Sequence, residues 1–223
     1  MMIRKLVSAL ASGGLKGHFG QWGEDILVRK LFPRTMKTGT YLDLGCYHPF
    51  SHSNTAYLWL KGWSGVNVDA NPYTIEIFKK TRPADRNIWA AIVSERDYES
   101  GRREISLRVS AAIGISATGT TDRDLAASRG FQQEVSVPAI CMSELIRSEM
   151  LQSVDYLNVD VEGCDQLIVE DFDSNILAPK VITIEDYSHS LELLLLSSIT
   201  TKLSARGYSL VGRAGPTSVF LRG

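Results

Sequence analysis

The sequence predicts an α/β fold with a doubly wound, mostly parallel sheet, and three observations carry that prediction. Short apolar segments alternate with amphipathic ones over most of the chain, several apolar segments end in an acid, and the C-terminal stretch reads as an antiparallel hairpin.

Glu24 to Leu31 has the pattern of a short amphipathic helix, stopped by Pro33. Gly39 to Leu44 (GTYLDL) is a compact apolar strand with Asp43 and Gly45 at its end. Ser53 or Asn54 caps a helix to about Leu60, and Gly62 ends it. Gly65 to Val68 is a second strand, closed by Asp69. Asn71 then accepts an orphan amide while Pro72 suits a first helical position, so a helix starts there and reaches Lys80. Asn87 to Val93 is a third short strand. Strands and helices in this order, on short connections, are the pattern of right-handed parallel crossovers.

Residues 94–133 break the rhythm. Ile105, Leu107 and Val109 alternate like a half-exposed strand, and a run of small residues follows, so this stretch reads as an insertion, part of it a lid. Val135 to Ile140 is a further strand, and Ser143 caps a helix to about Met150. The alternation then resumes. Val154 to Val159 is a strand ending at Asp160, Asp165 to Phe172 a helix, and Val181 to Ile184 a strand ending at Glu185 and Asp186. Ser190 caps one long helix to Ala205, and Tyr208 to Val211 and Ser218 to Leu221 flank a turn at 212–216. No fixed-period repeat is present, so one domain over residues 1–223 is expected, with 1–20 as an N-terminal extension.

The 223 residues are 44% hydrophobic and 22% charged, which excludes a fibre or a disordered chain. A net charge of -1 gives no positive field to draw nucleic acid or an anionic membrane. Cys46, Cys141 and Cys164 form no Cys-x-x-Cys pair, which argues against a disulfide framework or thiolate zinc site and fits a reducing cytoplasm. No apolar run approaches the length of a transmembrane helix.

The acids locate the site. Asp43, Asp69, Asp160 and Glu185 each close an apolar strand, and in an open parallel sheet those ends line one ligand crevice. Converging carboxylates repel one another, so the implied ligand carries positive charge and several hydroxyls. S-adenosylmethionine, with an ammonium, a sulfonium and a ribose diol, has that profile. Asp69, closing the second strand, would accept from the ribose hydroxyls, Asp43 would face the ammonium, and Gly45 would let the backbone approach the cofactor. A nicotinamide dinucleotide fits less well, because the turn Gly45-Cys46-Tyr47-His48-Pro49 lacks the glycine-rich pyrophosphate loop.

These residues resemble the FkbM family of methyltransferases from about Gly20 to Ala205. The resemblance rests on Gly23-Glu24-Asp25, Tyr41-Leu42-Asp43-Leu44-Gly45, Ser53-Asn54-Thr55, Gly62-Trp63-Ser64-Gly65, Asp69-Ala70-Asn71-Pro72, Arg82-Pro83, Asp160-Val161-Glu162-Gly163 and the stretch from Pro179 to Glu185. It implies a class I, Rossmann-like, seven-stranded methyltransferase fold, S-adenosylmethionine as donor, and a hydroxyl acceptor on a sugar or natural product. By position it places Asp43, Gly45, Asp69, Ala70 and Asn71 on the cofactor, Ala90, Ala91 and Ile92 beside its adenine, and Ser53 and Asn54 at the pocket edge, the last two serving equally as helix caps. Tyr47, His48 and Pro49 depart from the commoner glycine-rich motif.

Methyl transfer to a hydroxyl needs a base or a metal to take the proton. Asp160 is the first candidate, followed by Glu162 and His189. Asp160, Glu185 and Asp186, at two neighbouring strand tips, also form a candidate Mg²⁺ site. Trp22, Trp59, Trp63 and Trp89 read as core or pocket-wall residues rather than a carbohydrate platform. The alternatives are an N- or carboxyl-methyltransferase and a non-catalytic cofactor-binding scaffold.

Overall fold

The computed structural model describes residues 17–109, 133–161 and 164–223. Its elements are α1 (Glu24–Leu31), β1 (Thr40–Leu44), α2 (Ala56–Leu60), β2 (Ser64–Asp69), α3 (Pro72–Thr81), β3 (Arg86–Trp89), β4 (Ala91–Ile92), α4 (Glu95–Glu99), β5 (Glu104–Val109), β6 (Gln133–Ile140), α5 (Met142–Ser148), β7 (Tyr156–Val159), α6 (Asp165–Asp171), β8 (Val181–Glu185), α7 (Leu191–Leu195), α8 (Ser198–Ala205), β9 (Tyr208–Ala214) and β10 (Thr217–Arg222). Seven strands form one sheet in the order β3-β2-β1-β7-β8-β10-β9. All are parallel except β10, which runs antiparallel to both of its neighbours. This is the doubly wound, mostly parallel seven-stranded sheet with an antiparallel C-terminal hairpin that the sequence predicts.

The period-2 alternation of the strands gives the sheet two different faces. Leu42, Leu44, Val66, Val68, Leu157, Val159, Ile182 and Ile184 point one way, into a wholly apolar core closed by residues of α5, α6 and α8 such as Leu145, Ile168 and Leu203. On the opposite face Tyr41, Tyr156, Val181 and Val219 pack against Val28 of α1 and Leu58 of α2. Toward the carboxyl ends that second face turns polar. Strand register aligns Asn87, Asn67, Asp43, Asn158 and Thr183 in one row across five strands. Side-chain hydrogen bonds link neighbours within the row, Asn67 to Asn87 (2.8 Å), Asn158 to Asp43 (2.9 Å) and Thr183 to Asn158 (2.7 Å). These bonds make buried amides and a carboxylate tolerable and favour this register, with Asn67 Oδ1 left as a buried acceptor without a partner among the described residues.

Four differences from the sequence reading have local causes. The expected strand 87–93 divides at Ala90, whose amide donates to Asp69 O (3.1 Å); β3 stays in the main sheet while β4 joins β6 and β5 in a second, three-stranded sheet. The expected helix 190–205 is two helices. Ser190 caps the first by accepting from Leu193 N, and Ser197 caps the second by accepting from Thr200 N. Ser143 is not a cap; its N and Oγ both donate to Glu95 (2.7 and 2.6 Å), and Cys141 holds the N-cap position. The hairpin strands are longer than expected, leaving Gly215-Pro216 as the turn between β9 and β10.

Asn71 caps α3 as expected, its Oδ1 accepting from Tyr73 N at 3.0 Å. The insertion at 94–133 contributes α4 and β5, the latter paired antiparallel with β6, while its residues 110–132 and most of the N-terminal extension lie outside the described residues. Among the described residues no helix is long and apolar enough to cross a membrane.

Candidate functional site

Above the polar row, one side-chain repeat further along the strands, stand Asp69, Gly45, Asp160 and Glu185. Asp69 pairs with Trp89 and Glu185 with Thr217 at the ends of the same line. This outer row is the floor of a cleft of about 500 Å³, within the size range of small-molecule sites.

Asp69 is anchored in the cleft by two backbone amides. Its Oδ1 accepts from Asn71 N (2.7 Å) and its Oδ2 from Tyr47 N (2.9 Å), so one carboxylate ties the end of β2 to the loop after β1. Burial pushes its pKa up to about 6 despite those two amides, and the nearby Asp43 charge adds to the rise. Each oxygen retains a lone pair toward the cleft, since a carboxylate offers about four acceptor sites. Val68, Ala90, Ala91 and Ile92 form an apolar slot beside it, and Ile105 and Leu107 of β5 add the outer wall. Ala91 and Leu107 share a small core with Val137, which is how the second sheet holds that wall in place.

Tyr47 and His52 shape the centre of the cleft. Both are non-glycine residues at positive φ (56° and 54°), a conformation costing about 1–3 kcal/mol each that persists only where the surroundings enforce it. Their rings stack at 5.5 Å and 14°. His48 holds the loop between them, its Nδ1 accepting from Phe50 N (3.1 Å) and Ser51 N (3.0 Å).

The model for the methyltransferase FkbM domain matches residues 43–210, three quarters of the sequence. The chain belongs to the FkbM family of S-adenosylmethionine-dependent methyltransferases. No curated protein matches it. Among solved structures, a TehB-like SAM-dependent methyltransferase from Corynebacterium glutamicum is similar at 13% identity and a TM-score of 0.39, covering 99% of this chain and 96% of that one.

Of the cofactor residues expected for an FkbM methyltransferase, Gly45, Asp69, Ala70, Asn71, Ala90, Ala91 and Ile92 line the cleft. Three do not. Asp43 lies one row below, and its oxygens accept from Thr55 Oγ1 (2.6 Å) and Asn158 Nδ2 (2.9 Å). Burial raises its pKa against those two hydrogen bonds and the Arg82 charge. Ser53 and Asn54 are buried behind it. Ser53 Oγ accepts from Ala56 N (3.1 Å), and Asn54 Nδ2 donates to Asn158 (3.0 Å). Gly45 is required for a reason the sequence did not show. At φ 78°, a Cβ there would sit 1.7 Å from the Asp160 carbonyl oxygen, so the glycine is needed to admit the β7 backbone.

Asp160 lines the cleft, as expected of a base, whereas His189 is exposed and lies off its wall. Glu162 lies outside the described residues. The proposed metal set is not assembled. Asp160 and Glu185 line the cleft, but Asp186 lies off it, in an adjoining hollow that Glu185 also borders, where its Oδ1 accepts from Ser188 N (2.9 Å) and Oγ (2.5 Å). Burial works upward on the Asp186 pKa, but the serine hydrogen bonds outweigh it and hold the carboxyl below its ordinary range. Among the described residues no three His, Cys, Asp or Glu side chains come together as a metal site.

Trp22 lies on the cleft wall, as the sequence reading allowed, while sequence reasoning missed Glu24, Tyr47, His52, Tyr187, Pro216 and Thr217, all on that wall. Glu24 had a signal in the Gly23-Glu24-Asp25 motif. Tyr47 and His52 had none, because nothing in their side chains announces a left-handed backbone.

Proposed function

We propose that this chain transfers the methyl group of S-adenosylmethionine to a hydroxyl oxygen of a small-molecule acceptor, a sugar or a natural product. The observation that carries the reading is Asp69, a carboxylate fixed by two backbone amides at the tip of β2 and open to the cleft beside an apolar slot. A ribose diol suits the carboxylate and a flat base suits Ala90, Ala91, Ile92 and Leu107, so the residues present fit the cofactor. When bound, the cofactor supplies an electrophilic methyl group on a sulfonium.

The residues then divide the work along the outer row. Asp69 accepts from both ribose hydroxyls, and Asn71 N, already donating to it, keeps its plane fixed. Asp160, mid-cleft at the tip of β7, takes the proton released when the acceptor oxygen bonds to carbon. A positioned base contributes about 10²–10⁴ in rate, so Asp160→Asn is expected to lower turnover by that factor while leaving S-adenosylhomocysteine affinity unchanged. Labelled-methyl transfer and calorimetry on one preparation read the two quantities. Undiminished turnover in that variant rules Asp160 out as the base.

The raised pKa of Asp69 gives a second expectation. Hydroxyl donors favour the ionised form, so the bound pKa lies below about 6, and binding below that pH must release a proton. Affinity for S-adenosylhomocysteine should therefore be flat above neutrality and weaken by up to about tenfold per pH unit as pH falls below 6. Calorimetry across this range tests it, with Asp69→Asn expected to remove the slope. An identical slope in that variant would assign the titration to another group.

A further inference from the structure

The cleft is longer than a nucleoside requires. Its floor crosses from β2 through β1, β7 and β8 to β10, four strand spacings or about 19 Å. The β2 end is occupied in the reading above. The β8–β10 end has a wall of its own, made by Trp22, Glu24, Glu185, Tyr187, Pro216 and Thr217.

That wall is held rigidly. Glu24, 2% exposed, folds back to accept from Gln21 N (3.1 Å) and Trp22 N (2.8 Å). Asp25 accepts from Phe19 N (3.1 Å), and Phe19 O accepts from Ser53 N (3.1 Å), so the segment before α1 is stitched to the body of the fold. The Trp22 indole lies face-on against Gly215. A Cβ on that glycine would stand 2.5, 2.7 and 2.6 Å from three atoms of the ring, Cγ, Cδ1 and Cδ2. One ring face is thus supported by backbone, yet 56% of the residue remains exposed. A core tryptophan has both faces covered, and this one does not. Beside it Glu185, with Tyr187 OH donating to Oε2 (2.5 Å), presents a fixed carboxylate.

The chemistry of this end is specific. An indole face attracts the C–H face of a ring, and a carboxylate accepts from hydroxyls. Glu24, Asp160 and Glu185 repel anions, and among the described residues lining the cleft there is no lysine or arginine to offset them. We infer that Trp22 and Glu185 form the acceptor wall, and that the acceptor enters as an uncharged hydroxylated ring stacked on Trp22 with one hydroxyl toward Asp160. This inference rests on the methyltransferase reading, and it gives Trp22, a wall residue as expected, the further role of a stacking platform.

The test is saturation-transfer NMR on the full chain with saturating S-adenosylhomocysteine, using methyl β-D-glucopyranoside and glucose 6-phosphate as probes. The pyranoside is expected to show ring C–H saturation that falls about tenfold in Trp22→Ala, falls likewise in Gly215→Ala, which displaces the indole, and persists in Trp22→Phe. Glucose 6-phosphate is expected to give no comparable signal. The inference is overturned by no pyranoside signal in the wild type, by an equal signal in Trp22→Ala, or by equal binding of the phosphate. Calorimetry on the same samples separates the two readings. A wild-type chain that ignores S-adenosylhomocysteine sinks the methyltransferase reading, whereas normal affinity with a Trp22-independent sugar signal sinks the acceptor wall alone.

Discussion

Asp69→Ala is expected to lower affinity for S-adenosylhomocysteine by about 10²–10⁴, because two charge-assisted hydrogen bonds of about 1.5–3 kcal/mol each are lost together. The same carboxylate holds Tyr47 N and Asn71 N, so the alanine variant also frees the loop carrying the strained Tyr47 and His52. Stability should move differently from binding. A carboxyl raised from 3.8 to about 6 on folding is one whose charged form the fold disfavours. Its contribution to stability therefore falls as pH rises from about 4 to 6 and stays low above that. Asp69→Asn removes the charge but sets an NH2 donor against one of the two backbone N–H groups, so it should bind poorly, and its melting temperature should lie closer to that of the wild type at neutral pH than at pH 4. Calorimetry and thermal unfolding on one preparation read both, and unchanged affinity in the alanine variant would falsify the assignment of this site.

The largest effect on stability is expected at Arg82, which is 0% exposed. Its guanidinium donates to Thr55 Oγ1 (2.9 Å), Tyr41 OH (3.3 Å), Ser53 Oγ (3.3 Å) and Pro49 O, and it lies near the faces of Trp59 and Phe78. Through Thr55 and Tyr41 it reaches two buried carboxylates. Thr55 donates to Asp43 (2.6 Å), and Tyr41 donates to Asp85, which also accepts from Asn67 (3.1 Å). Removing the cation leaves Asp43 and Asp85 buried without a compensating charge, which costs about 3–5 kcal/mol. For a chain of this length that is a fall of about 6–20 °C in melting temperature for Arg82→Met. Urea unfolding of the variant measures it, and a loss under about 1 kcal/mol would show that the two acids do not depend on the guanidinium.

These two residues mark how legible the site was. Asp69 could be read because it closes an apolar strand, and strand-end position is a property of local sequence. Arg82 was visible only as part of an Arg-Pro pair. Its role depends on β1, β2 and the loop after β1 meeting around it, which no local pattern records. Asp43 shows the limit from the other side. It sits two residues before Gly45, and register places it one row under the cleft, level with Asn67 and Asn158 instead of with Asp69 and Asp160. The metal set failed for a local reason, since Asp186 lies just past the end of β8 and its carboxylate is taken up by Ser188.

By itself the sequence determined the sheet. Strand and helix identity, the parallel alternation, the caps at Asn71 and Ser190 and the row of acids at strand tips all follow from periodicity and from the short-range chemistry of side chains with their own backbone. Tertiary structure alone decided which polar groups face the cleft and which are consumed beneath it, and it brought Trp22 from the segment before α1 onto Gly215 of the distant hairpin. Those outcomes depend on strand register and on contacts between residues far apart in the chain, and such contacts leave no period in the sequence.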